Sequence, residues 1–186
     1  LITTPVQLEK PAGCKLVVVE TAAQMKQAVM IEAKRSDAVV MAAAVADYRP
    51  VKAQSSKLKK QSLNSKLKIE LTKTDDILES LGKNKGNKVL IGFSLETENL
   101  ITNSMKKLKS KNLDLIVANT NDAFDVDSSK VSFIYRDKTM KSMELLSKKD
   151  TANRILDFVT SKSQKPFFKK FNADVCRSKS VLSALS

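Results

Sequence analysis

Histidine and tryptophan are both absent from the 186-residue chain. Without histidine, Ser–His and Cys–His nucleophile pairs and histidine-ligated zinc are excluded within it. Only two cysteines occur, Cys14 and Cys176, far apart and in no Cys-x-x-Cys pair. They make no disulfide framework, and a reducing compartment is the default. Glycines number only four, and none of them builds a glycine-rich phosphate loop. Aromatic residues are 5% of the chain, so platforms for stacking bases are scarce. The longest apolar run without a charge covers the nine residues 38–46, against the about twenty that a membrane helix needs. No secretory signal opens the chain. It begins mid-pattern at Leu1 rather than with methionine, and further upstream sequence is expected.

What is abundant is positive charge. The chain carries 33 Lys and Arg against 20 Asp and Glu, for a net +13. From Lys162 onward there are six bases and one acid, so the tail holds +5 and the body +8. Such a field favours anionic partners: nucleic acid, a membrane surface or polyphosphate substrates. Lysine dominates over arginine, however, and nucleic-acid readers lean on arginine for bidentate contacts. A solvated lysine-rich surface is the ordinary alternative. Any chemistry must run on lysine, arginine, carboxylates, amides, backbone and an added metal.

The apolar content of 42% and the length suit one domain with a real core. Short β-type runs cover 1–4 and 15–19. Thr21 and Gln24 have capping-box spacing and open a helix that nothing interrupts before Arg35. Residues 37–43 are a continuous apolar strand of the kind buried on both faces of a parallel sheet. Residues 47–65 read as a long lysine- and serine-rich loop, and loops of that length are usually functional. Alternation over 66–72 predicts a half-exposed strand. Then follow a helix at 75–83, a strand at 88–93, a helix at 97–111 and a strand at 113–118. A hairpin takes 131–135 and 140–145, and a last helix 147–160. The order predicts a Rossmann-like α/β fold: a mainly parallel sheet with helices on both faces, plus a C-terminal β-hairpin. Ligands of such sheets sit beyond the carboxyl ends of the strands, where Asp47, Phe93 and Asn119 fall.

The stretch Ala42-Ala43-Ala44-Val45-Ala46-Asp47-Tyr48-Arg49-Pro50 tapers a buried strand into small residues and then turns. Small side chains let a flat ligand lie on the backbone, and Asp47 can accept from hydroxyls; a tight strand–helix contact would use alanines equally well. Lys57-Leu58-Lys59-Lys60 offers mobile point charges that can close over a triphosphate, or a solvated charge run. Lys107 and Lys111 stand one turn apart on the third helix and point the same way, as a binding pair or a solvated edge. Gly92-Phe93 ends a strand and can set a ring beside a base, or simply in the core. Asp76 stands where a helix cap alone would explain it.

Taken together, these blocks resemble one family. AAAVADYRP (42–50), KLKKQ (57–61), KTDDIL (73–78), GFSLETENL (92–100), KLKSKNLDLIVAN (107–119) and the following Phe124 have the order and spacing of phosphopantothenate–cysteine ligase. The match is to the bacterial CTP-using form, normally the C-terminal half of a bifunctional coenzyme A biosynthesis protein. It covers residues 1–161 as a ligase domain and leaves 162–186 as a basic tail.

The resemblance implies a ligase that joins 4′-phosphopantothenate to cysteine. CTP activates the pantothenate carboxylate as an acyl-cytidylate with loss of pyrophosphate, and the cysteine amine then displaces CMP. Mg²⁺ accompanies the nucleotide, and the resemblance names no metal ligands. Lys57 heads the K-x-K-K motif as the catalytic lysine. Ala42, Ala43, Asp47, Asp76, Ile77, Phe93, Lys107 and Lys111 fall at nucleotide-contact positions. FMN would belong only to the decarboxylase half normally fused upstream, which this sequence does not contain. A cytoplasmic homo-oligomer is implied, with neither nucleic acid nor membrane as partner.

Three departures stand out: Asp75 replaces a common proline, Ser94-Leu95 replaces a usual small pair, and the family's first strand, glycine-rich loop and an asparagine are missing. The chain is therefore expected not to complete the ligation alone. A catalytically inactive ligase remnant and a lysine-rich nucleic-acid-binding module are the alternatives.

Overall fold

A computed structural model of the chain describes residues 1–52, 68–96, 98–119 and 128–162. The tail from 163 on lies outside them. In chain order the elements are β1 (Ile2–Thr3), β2 (Val17–Val18), α1 (Ala22–Ala33), β3 (Ala38–Met41), β4 (Tyr48–Pro50), β5 (Leu71–Lys73), α2 (Ile77–Lys83), β6 (Val89–Leu95), α3 (Leu100–Ser110), β7 (Leu115–Asn119), β8 (Ser128–Tyr135), β9 (Met140–Ser147) and α4 (Lys148–Lys162).

Five strands form the central sheet in the order β3-β6-β7-β8-β9. β3, β6 and β7 run parallel; the β8–β9 hairpin joins the sheet antiparallel to β7. The sheet is thus mixed, its parallel half built by helical crossovers and its other half by the predicted hairpin. β1 and β2 pair in parallel as a separate two-stranded sheet.

β6 and β7 are nearly uninterrupted apolar runs because both their faces are covered. Leu90, Ile116, Ala118 and Ile134 share one core with Met25 and Val29 of α1, Ile77 and Leu81 of α2 and Leu108 of α3. On the other face Val89, Ile91, Leu115, Val117, Val131 and Phe133 pack against Ile155 and Val159 of α4. The alternation along each strand assigns successive residues to opposite cores. α1 starts where the capping box requires: the Gln24 N–H donates to Thr21 Oγ1 at 3.2 Å, and Gln24 Oε1 accepts from the Thr21 N–H at 3.0 Å.

The expected loop from residue 47 is corrected at its start. Tyr48–Pro50 is a strand, paired antiparallel with Leu71–Lys73, so the segment leaves the sheet as a ribbon. The strand expected at 66–72 correspondingly sits at 71–73, in the ribbon and not in the main sheet. The third helix begins at Leu100, not at 97, after Asn99 takes a left-handed φ of 53°.

At the amino ends of β6 and β7 the nearly buried Lys85 ammonium donates to Asp114 Oδ1 at 2.6 Å. The Leu90 N–H donates to Asp114 Oδ2 at 2.8 Å, and Arg136 stands 3.4 Å from Oδ1. This clamp ties helix, strands and hairpin turn together at the end away from the candidate site. Among the described residues no helix is long and apolar enough to cross a membrane.

Candidate functional site

The register of β3 against β6 sets Met41 opposite Gly92. Ala42 and Ala43 therefore leave the sheet beside Phe93 and the carboxyl end of β6. Ala42 is half-buried and Ala43 exposed, which leaves backbone within reach of a ligand. Asp47 is exposed; its carbonyl accepts from the Thr74 N–H at 2.8 Å, so the backbone that carries it is fixed at the base of the ribbon.

Asp76 caps α2, with Oδ1 accepting from the Glu79 N–H at 2.9 Å. Its Oδ2 lies 2.6 Å from Lys111 Nζ. Burial pushes the Asp76 carboxyl up, but the Lys111 ammonium and the N–H groups of Glu79 and Leu78 outweigh it, and the group settles below its ordinary value. Lys107, one turn earlier on α3, lies 2.5 Å from Glu96 Oε1. Glu96 directly follows β6, so this ammonium is fixed at the carboxyl end of the sheet. The Lys107 hydrogen bond holds the Glu96 carboxyl below the usual range, with burial opposing it and Ser94 and Asn103 assisting.

Asp76 and Lys111 are thus brought into contact, and Lys107 stands on the same helix. Ile77 is 3% exposed, with its side chain in the α1–α2–α3 core, so its side chain is not offered to a ligand. Phe93 packs against the α4 core, on the face of β6 opposite to α2 and α3, and is half-buried. Lys57 lies outside the described residues, as does Phe124.

Glu96 and Asn103 were not singled out by the sequence, although Glu96 stands inside a quoted block, and Ser94 was noted only as a departure from the family's pattern. Their link to Lys107 runs from strand end to helix, a contact that no periodicity marks. Asn119 closes β7 opposite Leu95, and its Oδ1 is buried with no hydrogen-bond partner among the described residues.

Residues 1–162 match the family described as DNA/pantothenate metabolism flavoprotein C-terminal domain. The chain belongs to this family. The Coenzyme A biosynthesis bifunctional protein CoaBC of Bacillus subtilis is 37% identical over 169 residues, 88% of this chain and 41% of the relative. The protein of the same description from Borreliella burgdorferi is 35% identical over 158 residues, 84% of this chain and 40% of the relative. The chain therefore spans about two fifths of the length of these curated relatives. Among solved structures, the C-terminal domain of a Coenzyme A biosynthesis bifunctional protein CoaBC superposes with a TM-score of 0.70 at 35% identity, covering 85% of this chain and 70% of that one. The α/β fold expected from the sequence is the fold of that domain.

Among the described residues no group of three or more His, Cys, Asp or Glu gathers to hold a metal ion. Glu96 and Asp76 are instead each engaged with a lysine.

Proposed function

We propose that the chain is the ligase portion of a coenzyme A biosynthesis protein, joining 4′-phosphopantothenate to cysteine with CTP through an acyl-cytidylate. The observation that carries this reading is the pair of ammonium groups, Lys107 in the last turn of α3 and Lys111 at its C-cap. Each is held by a carboxylate beside the ends of elements that bear the family's motifs. Acyl activation develops charge on the α-phosphate and on the departing pyrophosphate, and fixed cations stabilise that charge without a proton-transfer residue. A chain without histidine suits such chemistry.

In this reading Ala42 and Ala43 present backbone to the cytosine, Phe93 flanks it, and Asp47 accepts from ribose hydroxyls. Asp76 and the start of α2 at Ile77 face the phosphate chain, and Lys57 is the catalytic lysine. Mg²⁺ enters with the nucleotide, held mainly by its phosphates, as this ion commonly is. The bifunctional description of the relatives fits fusion to a decarboxylase half, and a cytoplasmic homo-oligomer is part of the same proposal.

Titration calorimetry with CTP–Mg²⁺ and ATP–Mg²⁺ tests the nucleotide choice. CTP should bind more tightly; ATP binding equally well or better would defeat the reading. Joined to the upstream portion of the Bacillus subtilis relative, the chain should form phosphopantothenoylcysteine only when CTP, phosphopantothenate and cysteine are all present.

A further inference from the structure

Glu96 is a carboxylate with 17% of its side chain exposed, placed where β6 ends. Three side chains donate to it. Lys107 Nζ at 2.5 Å and Ser94 Oγ at 3.1 Å share Oε1, while Asn103 Nδ2 at 3.3 Å takes Oε2. Ser94 is itself buried, at 3% exposure. Asn103 comes from the same helix as Lys107, one turn earlier. The carboxylate is therefore oriented by two neutral groups before the lysine is counted. Lys107 is 42% exposed, and ion pairs at such positions contribute little to stability. A strand-to-helix staple does not account for so complete an anchorage.

The anchorage does fix the ammonium. A lysine side chain loses considerable rotamer freedom when it grips a ligand, and prior ordering removes that cost from binding. An ammonium has three N–H donors; Glu96 takes one, and the others stay available to phosphate oxygens. Lys111 repeats the device one turn on. Asp76 Oδ2 accepts from its ammonium, and the helix cap fixes Oδ1.

We infer that Glu96 is a positioning residue, which holds the Lys107 ammonium ready for the phosphate chain of a nucleoside triphosphate. The inference rests on reading this site as one for oligophosphates. It assigns Glu96 no contact with the nucleotide, only the orientation of the group that makes it.

The test is a double-mutant cycle on the 186-residue chain, titrated with inorganic tripolyphosphate and with CTP–Mg²⁺. Lys107→Met should weaken both about tenfold, the worth of one charge-assisted hydrogen bond. In the Glu96→Gln background the same change should cost no more than about twofold, because an unheld lysine contributes little; close contacts couple in this way. Equal costs in both backgrounds would overturn the inference. So would a Glu96→Gln protein with a lowered melting temperature and unchanged affinities, which is what a structural staple predicts.

Asn103→Ala keeps both charges and frees Oε2, so it serves if Glu96→Gln does not fold. It should weaken tripolyphosphate binding several-fold, and unchanged binding would count against positioning. Failure of the wild-type chain to bind tripolyphosphate also overturns the inference. A Glu96-dependent pattern with tripolyphosphate but no preference for CTP over ATP leaves the inference standing and sinks the ligase reading.

Discussion

Asp76 serves two neighbours with two oxygens, and the two can be separated chemically. Oδ1 caps α2 and Oδ2 holds Lys111. Asparagine preserves the cap acceptor and removes the charge, since both residues are good caps. Asp76→Asn should therefore cost about 0.5–1 kcal/mol at pH 7, the scale of a partly exposed ion pair. Asp76→Ala should cost roughly 1 kcal/mol more, for the lost cap. The pH dependence has a definite sign. The folded carboxyl lies below its ordinary 3.8, so its contribution is present above that value and is lost as pH falls through the lower folded one. Urea unfolding should show the gap between wild type and Asp76→Asn narrowing as pH drops below 3.8. A gap independent of pH would show that the pair contributes nothing to it. Glu96, depressed in the same direction, should add to the acid limb of the wild-type curve.

Two glycines report how closely α2 seats, one against the end of α3 and one against the sheet. A Cβ on Gly82, near the end of α2, would meet the Lys111 carbonyl oxygen at 2.1 Å, a backbone atom that cannot yield locally. A Cβ on Gly92 in β6 would meet the Cδ1 atoms of Leu78 and Leu113 at 2.9 and 3.0 Å, the far ends of flexible side chains. Alanine gains up to about 1 kcal/mol over glycine within a helix, but overpacking of a tight contact costs about 1–3 kcal/mol. At Gly82 the clash should win. Gly82→Ala should be the more destabilising of the two in thermal or urea unfolding, and it should also weaken CTP binding by moving Lys111. Gly92→Ala proving the costlier would show that α2 and α3 are not seated as described. The same scale explains what was legible in the sequence. β6 and β7 announce themselves because burial on both faces demands unbroken apolar runs, and α1 because its capping box is local. The ribbon's first strand is not legible: Tyr48, Arg49 and Pro50 are all exposed, contain a proline, and pair with residues 21 to 25 positions away. Exposure removes the period-2 signal by which a strand is recognised. The lysines of the site could be read from their spacing along α3, whereas Glu96 could not. Its contact depends on how far α3 lies from the end of β6, which only packing decides.

For the whole molecule the question is whether a net charge of +13 binds anions through a diffuse field or through placed donors. The site argues for donors. Lys107 with Glu96 and Lys111 with Asp76 are neutral as pairs, so in the proposed reading a phosphate chain would meet oriented N–H groups rather than an uncompensated patch. A diffuse polyelectrolyte contact has a different signature. A protein neutralising six to ten phosphates loses about 10³–10⁵ in affinity between 50 and 200 mM salt. CTP–Mg²⁺ at the paired lysines should lose no more than about tenfold over that range, since few counterions are released. Binding should also protect the fold. At a ligand concentration one hundred times Kd the stabilisation is about 2.7 kcal/mol, and a domain of this size gains about 2–4 °C per kcal/mol. Differential scanning at 200 mM salt should therefore show CTP–Mg²⁺ raising the melting temperature by about 5–10 °C, while a single-stranded oligonucleotide at equal phosphate concentration leaves it unmoved. The opposite pattern, protection by the oligonucleotide at low salt that vanishes at 200 mM and none by CTP, would mean that the lysines act through the field of the whole surface and that the paired carboxylates only restrain it.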